Sequence, residues 1–382
     1  MHVSPALAEA GTYPFVRLDQ AKREAAARGI ELIDFGQGDP REPTDPAIRQ
    51  ALVDGLEERM GYPSSVGLPQ LREAIAGWCE RRFGVELDPE SEIIPTLGSK
   101  EAIFSFAQIV VDATTAKDTV VVPDPAYPVY GRGALFAQAR ILRLALQEQN
   151  GFLPDLDALD DEEWSRLAIF WVNYPNNPTG ASAPLEFYER LAELALEHDF
   201  LVASDEAYSE LWFETAPPSA LQVARRRNVV VFNSLSKRSS MTGYRSGFVA
   251  AAPELIALLR TFRPTVGTAP QEFVQRASVV AWNDETHVER AREAYRRKRE
   301  ILLGVLSRRG LRVAGSEASM YLWVEVPKGE SSEAFAARLL EHGVIVAPGS
   351  YLGEAGEGYA RIALVPTEDE CRRAAEILED VL

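Results

Sequence analysis

The sequence predicts an α/β protein, with a larger unit on a mostly parallel sheet between helices and a smaller α+β unit after it. Two observations carry this expectation. Short apolar, β-branched runs alternate with longer amphipathic ones through residues 92–252, the pattern of strand–helix units whose strands pair in parallel. After Arg263-Pro264 the texture changes to one long helical pattern and then to three further strand-like runs.

Taken in order, EIIPTLG leads into the helical KEAIFSFAQIV, DTVVVPDP into VYGRGALFAQA, and LAIFWVNYP into PLEFYERLAELALEH. FLVASDE, NVVVFNS and FVAAA continue the strand series. The pattern from QEFVQ to LSRRG (271–310) reads as helix, and its RRKR cluster is expected to be a solvated face rather than an anion site. ASMYLWVEVP, SEAFAARLLEHG, VIVAPGS and YARIALV make the smaller unit. The expected organisation is an N-terminal segment over 1–45 that joins the small domain through IELIDFGQGDP, a large domain over 46–265, and an inter-domain helix with the small domain over 266–382.

Charge narrows the partners. Forty Lys and Arg against 57 Asp and Glu give a formal charge of −17 over 382 residues, which argues against a nucleic-acid or anionic-membrane surface. Small ligands are the expectation. Cys79 and Cys371 are far apart in sequence, and His2, His198, His287 and His342 fall at no ligand spacing, so neither a disulfide framework nor a zinc site is expected. No basic segment followed by a long apolar one opens the chain, and no run is apolar enough to span a bilayer. A cytoplasmic protein is expected.

In such a fold ligands gather at the carboxyl ends of the strands. No G-x-G-x-x-G or Walker A motif is present, which removes the usual dinucleotide and nucleoside-triphosphate turns. What the strand ends do carry is a different set. Gly98-Ser99-Lys100-Glu101 stands where a strand becomes a helix, so free backbone N–H groups there suit a phosphate. Ser234, Ser236 and Arg245 in NSLSKRSSMTGYRSG add hydroxyl and guanidinium donors. Lys237 can then serve as an amine nucleophile, and Ser204-Asp205-Glu206-Ala207-Tyr208, at the end of FLVA, places acidic groups at another strand end. A Schiff-base lysine, a carboxylate and a phosphate cup are the parts that pyridoxal phosphate requires.

Eight blocks in order, FGQGDP, GYPSSVGLPQLREAI, TLGSKEAI, PDPAYPVY, NYPNNPTG, SDEAY, SLSKRSSMTGYRSGF and YARIALV, resemble the class I/II aminotransferases of fold type I. The resemblance implies a seven-stranded, mostly parallel sheet and a homodimer with active sites at the subunit interface. It also implies roles. Lys237 is similar to the lysine that binds the cofactor covalently, Asp205 to the carboxylate on the ring nitrogen, and Asn177 and Tyr208 to the residues on the ring's phenolate oxygen. Tyr127 matches the aromatic that stacks on the ring. Tyr62 matches the tyrosine that reaches the neighbouring subunit's phosphate, beside Ser99, Lys100, Ser234, Ser236 and Arg245. Arg361 matches the arginine that grips the substrate α-carboxylate, with Gly38 lining that site. An arginine inside an apolar strand independently calls for an anion.

These parts imply ping-pong transamination between glutamate and a 2-oxo acid. SLSKRSS with GYRSGF, IPTLGSKEAIFSF and PGSYLGEAGEGYARIALV resemble the succinyldiaminopimelate aminotransferases most, which implies N-succinyl-2-amino-6-oxopimelate as acceptor. LL-diaminopimelate and aspartate aminotransferases are alternatives within the family, and a pyridoxal phosphate lyase or a non-catalytic regulator stand outside it. Both substrates of the succinyl reading carry a remote carboxylate, so a second cation is needed, and Arg263 is the candidate. For Arg238 two placements stand, at the pocket rim or facing solvent.

Overall fold

A computed structural model describes residues 3–382; His2 lies outside the described residues. Seven strands form one sheet in the order Ile93–Thr96, Gly247–Ala251, Val229–Ser234, Leu201–Asp205, Leu167–Asn173, Thr119–Asp124, Arg140–Ala145. All run parallel except Gly247–Ala251, which pairs antiparallel with both neighbours.

The central strands are buried on both faces, as helices on either side of a parallel sheet require. Their side chains divide with the two-residue period of a strand. Val121, Phe170, Val172, Val202 and Val231 pack into one core layer, while Val120, Val122, Trp171, Ala203 and Phe232 pack into the other.

Arg140–Ala145 has no counterpart in the strand runs read from sequence. It is the sheet's edge, with only Leu144 buried. One-sided burial lets Arg140 and Arg143 interrupt the apolar run by which the other strands are recognised.

The smaller sheet has the order Ala347–Pro348, Tyr359–Ala363, Tyr321–Glu325, Val313–Ala314. Ile33–Asp34 pairs in parallel with Val344–Ile345, so the N-terminal segment is hydrogen-bonded to the C-terminal part of the chain. Among the described residues no helix is long and apolar enough to cross a membrane.

Three local expectations are corrected. The helix Pro253–Val266 continues through Arg263-Pro264 and stops at Gly267, whose φ of +72° and N–H to Arg263 O (3.1 Å) form a left-handed cap. The 271–310 pattern is two helices, Glu272–Asn283 and Thr286–Arg308, parted at Asp284 and Glu285. Its RRKR cluster is not a solvated face throughout. Lys298 is buried and ion-paired to Glu42, and Arg299 donates to Ser316 O (3.0 Å).

Candidate active site

Segments that follow the carboxyl ends of five strands of the large sheet, and two strands of the small sheet, meet at a cavity of about 560 Å³. The large sheet brings Ser99, then Tyr127, then Asn173 and Asn177, then Asp205, then Ser234, Ser236 and Lys237 from five strand ends, and Arg361 and Tyr321 enter from Tyr359–Ala363 and Tyr321–Glu325.

At one end is a cluster of donors. Gly98 caps the helix Ser99–Val110 with φ +71°, a conformation that costs glycine little. A Cβ there would also fall 2.5 Å from Arg245 Nη2. The close approach is therefore built in. Arg245 sits at φ +56°, unusual for a residue with a side chain, and donates to Thr242 O (2.9 Å) and Leu97 O (3.3 Å). Ser234 Oγ accepts from Ser236 N at 3.1 Å. Lys100 Nζ stands 5.5 Å over the Tyr127 ring, and burial, then Arg245, lowers its pKa.

Beyond this cluster lies Lys237, half-buried, its Nζ donating to Gly38 O. A side chain at Gly38 would collide with the Tyr321 hydroxyl. Burial pushes the Lys237 ammonium down to about 8; Asp39 opposes this, while Arg361, Arg245 and Lys100 add to it. About a tenth of the amine is thus neutral and nucleophilic at pH 7, far more than for a free lysine.

Asp205 ends its strand only 4% exposed. Burial pushes its carboxyl up to about 6, against the Tyr130 hydroxyl at 2.7 Å, the Ala207 N–H at 3.2 Å and the charge of Lys237. A buried carboxylate so placed favours a cationic partner.

Arg361 is the decisive residue. It is 3% exposed, and its Nη1 and Nη2 donate to Asn177 Oδ1 and Gly36 O, both at 2.8 Å. Its Nε has no partner, the guanidinium lies 4.5 Å over the Tyr321 ring, and among the described residues no carboxylate comes within ion-pair distance. A buried cation without a counter-ion is costly, and the cavity beside it is where an anion would supply one.

Comparison with known proteins agrees with this geometry. A family model for aminotransferase class I and II matches residues 30–378. The chain belongs to that family. It is similar to an LL-diaminopimelate aminotransferase of Aquifex aeolicus, 42% identical over 375 residues that cover 97% of this chain and 96% of the relative. Among solved structures it is similar to an aminotransferase from Neisseria meningitidis, with 36% identity, a TM-score of 0.91 and full coverage of both chains. It is also similar to a probable N-succinyldiaminopimelate aminotransferase from Thermus thermophilus, with 33% identity and a TM-score of 0.90 over 97% of this chain and 100% of that one.

The protein is thus a pyridoxal phosphate-dependent aminotransferase of the class I/II fold. The residues present fit the cofactor. The donors of Ser99, Ser234, Ser236 and Arg245 suit a phosphate, Asp205 a protonated ring nitrogen, and Lys237 an aldehyde, all around one cavity.

Two sequence expectations need correction in this aminotransferase. Arg263 does not line the cavity: it is buried, ion-paired to Glu101 at 2.6 Å, and donates to Pro95 O at 3.2 Å. With its charge so engaged, it holds the helix Pro253–Val266 against the strand Ile93–Thr96. Arg238 is neither at the cavity rim nor in solvent. It is buried against Trp78 and Trp282, donating to Ala281 O (2.6 Å) and Glu285 (2.8 Å).

Tyr62 is fully exposed and outside the cavity of its own chain. Tyr127 and Tyr208 line it, and Tyr208 shares a 2.9 Å hydrogen bond with Tyr321. Tyr130 and Tyr321 escaped sequence reading. Tyr130 stood inside PDPAYPVY three residues after Tyr127, the one signal that was available; Tyr321 in ASMYLWVEVP looked like any aromatic in a strand.

Proposed function

We propose that the protein transfers amino groups between glutamate and the diaminopimelate skeleton, acting as an LL-diaminopimelate aminotransferase. The extent of similarity to the Aquifex relative supports the unsuccinylated substrate. This replaces the succinylated acceptor favoured by the sequence blocks, for which the support is a structural neighbour of lower identity. The single observation that carries amino-acid chemistry is Arg361, buried with no carboxylate at ion-pair distance among the described residues and lining the same cavity as Lys237.

In this reading Arg361 and Asn177 hold the α-carboxylate, with Gly38 leaving room for it. Pyridoxal phosphate, when bound, supplies an aldehyde for covalent attachment and a ring that withdraws electrons from the substrate's α-carbon. Asp205, held by the Tyr130 hydroxyl, would keep the ring nitrogen protonated. Lys237 Nζ takes the proton from the substrate α-carbon as general base and returns one as general acid. Ser99, Lys100, Ser234, Ser236 and Arg245 would hold the phosphate, Tyr127 would lie against the ring, and Asn177 and Tyr208 would bond its phenolate oxygen.

A homodimer belongs to the same proposal, in which Tyr62 completes the neighbouring subunit's phosphate site; its full exposure supports this. So does the division near residues 45 and 265, supported by the pairing of Ile33–Asp34 with Val344–Ile345. The test is kcat/KM with 2-oxoglutarate for LL-diaminopimelate, its N-succinyl derivative and aspartate. LL-diaminopimelate is expected to be the best donor, and preference for either of the others overturns the reading.

A further inference from the structure

We propose that Asp19 is a specificity-determining residue, receiving the far ammonium group of a seven-carbon diamino substrate. This rests on the diaminopimelate reading. The helix Phe15–Ala27 presents Phe15, Val16 and Asp19 to the cavity, one turn of helix apart. Phe15 lies under the guanidinium of Arg361, at 5.3 Å. The four residues from Phe15 to Asp19 advance about 6 Å along the helix axis. In an extended diaminopimelate the two amine-bearing carbons are separated by four carbon–carbon bonds, about 5 Å. The length of such a substrate is thus comparable with the spacing of the two cavity-lining residues Phe15, beside Arg361, and Asp19.

The charge there suits an ammonium. Asp19 Oδ1 accepts from Gln37 Nε2 at 2.7 Å and from Lys22 Nζ at 3.2 Å, while Oδ2 has no hydrogen-bond partner among the described residues. Lys22 does not neutralise it alone, because the same Nζ lies 2.8 Å from Asp34 Oδ2. Two carboxylates share one cation. The Asp19 side chain is 40% exposed, at the outer part of the cavity that a longer substrate reaches. The other acidic groups lining the cavity are engaged near the reacting centre, Asp205 with Tyr130 and Asp39 in the field of Lys237.

The consequence is discrimination by sign. The far end of LL-diaminopimelate is a zwitterion, one ammonium beside one carboxylate; N-succinylation turns that ammonium into a neutral amide and adds a second carboxylate, leaving two negative charges that Asp19 would repel. Glutamate has five carbons and a remote carboxylate but no second amine, so it lacks the ammonium contact and serves as an internal reference.

The experiment measures kcat/KM of the holoenzyme and of Asp19→Asn for LL-diaminopimelate, N-succinyl-LL-diaminopimelate and glutamate. In Asp19→Asn the ratio of LL-diaminopimelate to glutamate is expected to fall about tenfold, the effect of one charge-assisted contact, and the penalty on the succinylated donor to shrink. Equal losses for all three donors would mean that Asp19 only supports the helix. No change in the ratio, with the wild type still preferring LL-diaminopimelate, overturns the role of Asp19 and leaves the proposed function standing. A wild type that prefers the succinylated donor overturns both.

Discussion

The Tyr130 hydroxyl donates a 2.7 Å hydrogen bond to Asp205 Oδ2 at the carboxyl end of a central strand. Tyr130 is itself stacked on Trp171, with ring centroids 4.9 Å apart, so the donor is held in place by the core. The bond stabilises the ionised carboxylate. Tyr130→Phe should therefore raise the Asp205 pKa of the ligand-free protein further above about 6, by about one unit, read by titration of its carboxyl band in the infrared. An unmoved titration would show that Tyr130 contributes packing alone.

Asp205 also governs the stability of the apoprotein. Its folded pKa of about 6 lies above the ordinary value, so its contribution is fullest below pH ~4 and is lost as pH rises through 6. Neighbouring Glu206, pushed to about 7 by burial, acts in the same direction over a window one unit higher. Asp205→Asn should gain on wild type by up to ~3 kcal/mol between pH 4 and pH 7. Urea midpoints of the two apoproteins, taken at each pH, measure the difference.

For Lys237 the sign is reversed. A cation depressed to about 8 becomes a neutral amine at lower pH than a free lysine. The rate at which apoprotein captures pyridoxal phosphate, followed by absorbance, should climb through pH 8 and level off above it. Lys237→Ala should abolish both borohydride-trapped attachment and turnover, and retained steady-state transamination in that variant would remove the lysine from its role.

Removing the Arg361 guanidinium leaves the α-carboxylate without its buried partner. Arg361→Ala should lower kcat/KM for amino-acid donors by about 10²–10³, as loss of one member of a buried charge pair does. Amines lacking the carboxylate should lose far less. Equal losses for both kinds of substrate would point to collapse of the cavity.

Arg238 offers a contrast next door to Lys237. Its guanidinium is fixed between two tryptophans and by bonds to Ala281 and Glu285. Arg238→Leu should lower stability by about 2–3 kcal/mol, read as a reduced thermal midpoint, with KM for glutamate near the wild-type value.

What could be read from sequence was what is local in sequence. Each strand end carries its polar residues within a few positions of an apolar run, which is why Asp205, Lys237, Asn177 and Arg245 were visible as a set. The fate of long side chains was not. Arg263 meets Glu101 from 162 positions away and Lys298 meets Glu42 from 256, so neither pairing leaves a trace near the cation. Asp19 was silent for the same reason, since its helix is set beside the cavity by distant partners such as Ile345 and Ala347, on which Leu18 packs.

That packing bears on the order in which the molecule is completed. Ile33 pairs with Val344, 311 positions later (344 − 33), so during synthesis the N-terminal segment has no strand partner until nearly the whole chain has emerged. Domains generally fold as units while the chain is made, and the larger sheet closes with Ala251. The wall carrying Phe15 and Asp19 is accordingly a late addition to a scaffold already formed. A nascent chain arrested before Val344 would have the lysine, the aspartate and the donor cluster on its sheet, but neither Arg361 nor the wall opposite it.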